Sequence, residues 1–197
     1  MADSERHLIR AHVRESIRIG ERLLVDEFID LIATVAEAIG NAYRKGNKIL
    51  LFGNGGSAAD AQHLAAEFVG RYRRDRQALP AIALTVDGSS LTAIGNDYGF
   101  DRIFARQVEA AGIAGDIVLG LSTSGKSQNV ITALRTAKSK RMITVGLTGQ
   151  DGGQIREIVD YCLSVPSDST PSIQEAHMVI GHALCALVEC QFAGPMS

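Results

Sequence analysis

The stretch Lys48-Ile-Leu-Leu-Phe-Gly-Asn-Gly-Gly-Ser57 decides the fold: an apolar run breaks into a Gly/Ser loop and passes straight into the helix-compatible segment Ser57–Phe68. The same device returns at Asp116-Ile-Val-Leu-Gly-Leu-Ser-Thr-Ser-Gly-Lys-Ser127, ahead of a second helical segment, Gln128–Lys138. Loops of this composition present free backbone N–H groups and hydroxyls at the positive end of a helix, a favourable setting for a phosphate. A chain that builds the device twice is expected to handle a phosphorylated small molecule.

Outward from these two loops, apolar runs alternate with helical segments. Candidate strands are Lys48–Phe52, Ala81–Val86, Ile117–Leu121, Ile143–Thr148 and Tyr161–Val165. They are short and rich in Ile, Val and Leu, as strands covered on both faces are. Regular βα alternation predicts an α/β fold, a three-layer doubly wound sheet of five parallel strands, with ligands beyond the C-terminal strand ends. Upstream, Leu8, Val13, Ile17 and Leu23, then Phe28, Leu31, Ile32, Val35 and Ile39, recur at helical spacing, and Gly46 marks a stop. The reading is one domain over 1–197: an N-terminal helical extension, 1–45, and an α/β core, 46–197. The last helix spans Ser172–Phe192; its start is signalled by Thr170-Pro171, or by a capping box of Ser172 with Glu175.

With 46% hydrophobic and 21% charged residues and a formal net charge of −2, the 197-residue chain is globular and carries no global field for nucleic acid or an anionic membrane. Its one basic cluster, Arg71, Arg73, Arg74 and Arg76, reads as a solvated loop or as a phosphate or subunit contact. Cys162, Cys185 and Cys190 form no CxxC pair and read as buried thiols of a reducing compartment. The polar N-terminus lacks the apolar core of a signal peptide, and no apolar stretch reaches the ~20 residues of a membrane span. A soluble, cytoplasmic protein is expected.

Within Ser57–Phe68, His63 stands four residues before Glu67, on the same helix face. The pair is either a set of metal ligands, a base with a tuning partner, or a plain exposed polar pair. The C-terminal helix carries Gln174, Glu175, His177 and His182. His182 lies in the apolar run Val179-Ile-Gly-His-Ala-Leu-Cys185, so it is either a satisfied core histidine or a member of the same site. Gln174 and His182 are two turns apart and meet His63 and Glu67 only if the helices pack together. Asn96-Asp97, expected in a loop, is either a turn or a reader of sugar hydroxyls. Gly120–Ser127 matches the Walker A pattern letter for letter, but Gly120 sits inside the strand and too little chain follows for a nucleotidase core. Ser122, Thr123, Ser124 and Ser127 are instead expected to bind phosphate.

GNGGSAADAQH, Glu67, GRYR, Asn96-Asp97, STSGKS, LTGQDGG and IQEAH with His182, in this order across nearly the whole chain, resemble the sugar isomerase (SIS) family. More narrowly, they resemble its sedoheptulose 7-phosphate (phosphoheptose) isomerases. The resemblance implies a flavodoxin-like SIS fold whose N-terminal helices build a homotetramer with shared sites. It implies that Ser57, Ser122, Thr123, Ser124 and Ser127 hold the substrate phosphate and nearby hydroxyls, and that Asn54, Gly55, Gly56, Asn96 and Asp97 line the same site. It implies Glu67 and His182 as the acid/base pair, and His63, Glu67, Gln174 and His182 as ligands of one zinc ion per subunit. Two positions depart from the family pattern: Lys126 for the usual Asn, and Ser172 for a basic residue.

The expected activity is aldose–ketose isomerisation of a phosphorylated seven-carbon sugar through an enediol, the first step of nucleotide-activated heptose supply for lipopolysaccharide or capsule. The alternative is a non-catalytic SIS module that binds a sugar phosphate or a replication-initiator protein. Relatives of that kind tend to lack the residues matching Glu67 and His182, both present here.

Overall fold

The computed structural model describes residues 3–193. Two helices, α1 (Asp3–Arg22) and α2 (Asp26–Arg44), precede a core in which strands and helices alternate. The strands are β1 (Ile49–Gly53), β2 (Ala81–Ala83), β3 (Ile117–Ser122), β4 (Ile143–Gly149) and β5 (Tyr161–Val165). The helices between and after them are α3 (Gly56–Val69), α4 (Gly88–Tyr98), α5 (Ile103–Ala111), α6 (Gln128–Ser139), α7 (Gly153–Arg156) and α8 (Thr170–Phe192). The described strands form one five-stranded sheet in the order β2-β1-β3-β4-β5, parallel throughout.

Alternation along each strand splits the core in two. Ile49 and Leu51 of β1, with Ile117 and Leu119 of β3, pack under Val35 and Ile39 of α2, Leu64 of α3, and Ile180 and Leu184 of α8. Leu50, Phe52 and Val118 point the other way, onto Phe104 and Val108 of α5 and Val130 and Leu134 of α6. The Phe52 and Phe104 rings stack there at 5.1 Å. At the start of the sheet the Asp116 carboxylate is fully buried; it accepts from Lys48 Nζ (2.7 Å) and from the backbone N–H groups of Lys48 and Ile113. Burial pulls its pKa up, but these donors outweigh the pull and hold it below the ordinary value.

Several local expectations change. The run Ala81–Val86 is strand only through Ala83, because Leu84 and Thr85 turn and Asp87 then caps α4, accepting from the N–H groups of Ser89 and Ser90. That helix continues to Gly99, whose φ of 86° ends it, so Asn96 and Asp97 lie in its exposed last turn and not in a loop. No capping box forms on α8: its N-cap is Ser169, Thr170 is its first helical residue and Pro171 sits in the first turn. The Glu175 carboxylate turns instead to His12 and Ser16 of α1. Of the cysteines only Cys185 is buried; Cys190 is exposed and Cys162 half-buried. In α1, Ile19 is buried while Leu8, Val13 and Ile17 face outward. Among the described residues no helix is long and apolar enough to cross a membrane.

Candidate active site

The strand order reverses between β1 and β3, and crevices at such reversals are where doubly wound sheets bind ligands. The loop after β1 and the loop after β3 face each other there across a cavity of about 290 Å³. Asn54, Gly55, Gly56 and Ser57 line it from one side, Ser122, Thr123 and Ser127 from the other, with Leu121, Thr170 and Gln174 completing the wall. Three helices begin at this cavity: α3 at Gly55, α6 at Ser127 and α8 at Ser169, and none has a side-chain cap. Their positive ends converge on one volume, an electrostatic setting for an anion. By contrast, α4 closes its own first turn with Asp87.

The two loops are tied together below the cavity. Asn54 and Asn129 exchange side-chain amide bonds at 2.9 and 2.8 Å. Asn129, only 2% exposed, is the partner that sequence reading missed. Ser122 Oγ and Ser127 Oγ lie 2.9 Å apart, and Gly149 N–H donates to Thr123 O. Gln174 lies over Gly56 so closely that a Cβ on that glycine would fall 2.4 Å from Gln174 Nε2. Ser124 is exposed and accepts from Lys126 N–H, and Asn96 donates to Asp97 on α4; these three expected substrate contacts stand outside the cavity lining. A slightly larger cavity of about 320 Å³ opens at the other end of the sheet, near Asn41, Lys45 and Gly115, without such converging helix ends.

Further along α3 and α8 the second expected cluster is assembled. His63 Nε2 lies 3.0 Å from His182 Nε2 and 3.4 Å from Glu67 Oε1. One ligand atom from each of His63, Glu67 and His182 falls within 4.8 Å of the others. The approach depends on Gly181: a Cβ there would sit 2.6 Å from Leu64 Cδ2, so only glycine lets α8 ride this close to α3. Two imidazoles and a carboxylate converging on one point are the donor set of a catalytic zinc site, so the residues present fit that ion. The Glu67 side chain is 20% exposed.

The arginine cluster is not simply a solvated loop. Arg76 donates to the carbonyl oxygens of Glu67 and Phe68 at 2.8 Å each, at the end of α3, and its Nε lies 3.7 Å from Glu189. The Glu189 carboxylate, on α8, accepts from the backbone N–H groups of Tyr72, Arg73 and Arg74. Burial pushes the Glu189 pKa up; the three amides and Arg76 more than offset it and hold the group below its ordinary value.

A parallel sheet in this order with uncapped helix ends around its switch point defines a class, and the comparisons agree: the chain belongs to the SIS-domain family, whose SIS domain matches residues 13–149. Within it, the chain belongs with the phosphoheptose isomerases. It is 56% identical over 182 residues to the phosphoheptose isomerase of Aneurinibacillus thermoaerophilus, covering 92% of each chain. It is 51% identical over 195 residues to that of Burkholderia pseudomallei, covering 98% of this chain and 99% of the relative. The solved phosphoheptose isomerase of Neisseria gonorrhoeae superposes with a TM-score of 0.88 at 44% identity, over 93% of this chain and 98% of that one.

Proposed function

We propose that this chain is an aldose–ketose isomerase that converts sedoheptulose 7-phosphate to D-glycero-D-manno-heptose 7-phosphate. The observation that carries the reading is positional. The cavity with three uncapped helix ends and the His63–Glu67–His182 cluster sit on the same two helices, α3 and α8. Gln174 and His182 are separated by about 12 Å of helix rise, a spacing suited to an extended sugar phosphate held by its phosphate at one end. Ser57, Ser122, Thr123 and Ser127, with the amides of Gly55 and Gly56, receive the phosphate.

Glu67 removes the C1 proton of the open-chain ketose, and the electron pair moves into a C1–C2 enediol. A proton returned to C2 completes the aldose, while His182 moves protons between the two oxygens. Each general acid–base step is worth about 10²–10⁴ in rate. His63, Glu67 and His182 would hold one zinc ion per subunit, while Gln174, the fourth expected ligand, lines the phosphate cavity; bound there, the ion would supply Lewis-acid polarisation of the substrate carbonyl, a role that competes with Glu67 acting as base.

The domain is read as one SIS unit over 1–197, working in the cytoplasm as a homotetramer. The outward apolar residues Leu8 of α1, 71% exposed, and Leu24 in the connection to α2, 70% exposed, support residues 1–45 as the subunit contact. The product supplies heptose for lipopolysaccharide or capsule. Incubating the chain with sedoheptulose 7-phosphate and following the aldose C1 proton by NMR tests the reaction. Glu67→Gln is expected to fall by about 10²–10⁴ in kcat. Tight sugar-phosphate binding with no aldose formed would favour the non-catalytic module.

A further inference from the structure

His182 is held from two directions. On one side stands His63, at 3.0 Å. On the other the Tyr72 ring lies against it, with centroids 5.3 Å apart and planes tilted by 30°. Tyr72 belongs to Arg71–Pro80, a segment without helix or strand. Such a segment has no ladder of its own to fix a ring in place. The Glu189 carboxylate supplies the fixing. It is 2% exposed and takes the N–H groups of Tyr72, Arg73 and Arg74 at 2.8, 2.9 and 2.8 Å. Three successive amides turned onto one anion form a rigid nest. The counter-charge, Arg76, has its guanidinium on the Glu67 and Phe68 carbonyls. One buried ion pair therefore reaches the backbone behind both members of the proposed acid/base pair.

We propose that Glu189 is a positioning residue: its buried carboxylate pins the Tyr72–Arg74 backbone so that the Tyr72 ring braces the His182 imidazole, while Arg76 anchors the helix end that carries Glu67. A carboxylate used only for folding stability would act alike on every step. One that acts through Tyr72 acts on the His182 orientation, and so on turnover rather than on capture of the phosphate. Partners of this kind behind a ligand or catalytic histidine are typically worth about 10- to 100-fold in activity.

The kinetic arm of the test rests on the isomerase reading; the spectroscopic arm does not. The full chain is prepared with ¹³C-labelled histidine rings, and among its five histidines His182 is assigned by the signal missing from His182→Gln. Tyr72→Ala and Glu189→Gln are expected to move that signal, and Tyr72→Phe, which keeps the ring, to restore it. In turnover of sedoheptulose 7-phosphate, Tyr72→Ala and Glu189→Gln are expected to lose about 10- to 100-fold in kcat with KM within about twofold. The double variant should be no worse than the poorer single one, because the Tyr72 contact is among those that Glu189 sustains. Losses that multiply, or a His182 signal unmoved in Tyr72→Ala, would overturn the proposal. A wild-type chain with no isomerase activity defeats the reading of function, and the His182 signal then decides the positioning role alone. Should Glu189→Gln not fold, the two Tyr72 variants still decide it, since they change a partly exposed ring.

Discussion

The Nε2 atoms of His63 on α3 and His182 on α8 lie 3.0 Å apart. Two neutral imidazoles meet this way only if one donates its proton to the other, or if both lone pairs address a shared cation. With Glu67 Oε1 3.4 Å from His63 Nε2, the second arrangement has its third ligand in place. Zinc titration of the full chain against a chelating dye is therefore expected to give a tight site. His63→Ala and His182→Ala are expected to weaken it by more than the about 10–100-fold typical of outer partners. Unchanged uptake in either variant would remove the metal reading.

Ser57 tests the anion site separately from the chemistry. It is 3% exposed, sits in the uncapped first turn of α3 and lines the cavity. A hydrogen bond to a charged group is worth about 1.5–3 kcal/mol. Ser57→Ala should therefore raise KM for the sugar phosphate at least about tenfold, with a smaller change in kcat. Inorganic phosphate should inhibit wild type more strongly than the variant. A variant with wild-type KM would move the phosphate elsewhere.

Gly181 links packing to catalysis. An alanine Cβ would press to 2.6 and 2.8 Å on the two methyl groups of Leu64, a residue only 1% exposed and so with little room to yield. Helix propensity favours alanine by about 1 kcal/mol, and overpacking costs about 1–3 kcal/mol. Gly181→Ala is thus expected to change the melting temperature modestly. The helices that carry His63, Glu67 and His182 move apart, however, and an ångström of misplacement costs about 10²-fold in rate. Comparing the thermal midpoint with kcat checks this; wild-type turnover in the variant would show that the close approach is dispensable.

The two loops and four of the strands were readable in the chain because strands covered on both faces leave continuous apolar runs, and Gly/Ser clusters punctuate them. The short edge strand β2 was overextended, since Leu84-Thr-Val86 has strand composition but turns to deliver Asp87 to its cap. His63 and Glu67 were paired by helical spacing alone. Their meeting with His182 was not, because it hangs on the missing side chain of Gly181, whose meaning appears only when α8 crosses α3. Arg76 was hidden among neighbouring arginines: nothing local marks it as buried, and its partner Glu189 comes from a helix far along the chain.

His177 supplies a pH dependence that belongs to folding. The residue is fully buried and its Nε2–H donates to Thr148 O at 3.0 Å. A carbonyl only accepts, so in the neutral ring Nδ1 is left with a bare lone pair, and it has no partner among the described residues. Burial drives the pKa from 6.5 down to about 4, with the bond to Thr148 opposing only in part. The unfolded chain takes up this proton near 6.5 while the folded chain refuses it until about 4. Within that window the unfolded state binds more protons, so stability falls as pH falls, by up to about 3 kcal/mol at the lower end. Asp116 and Glu189, held below ordinary values of 3.8 and 4.5, lose their contribution only at more acid pH. Urea midpoints should therefore decline from neutral pH to about pH 5. His177→Gln, which keeps a donor for Thr148 and removes the titration, should flatten that decline. A slope as steep in the variant as in wild type would assign the loss to another group.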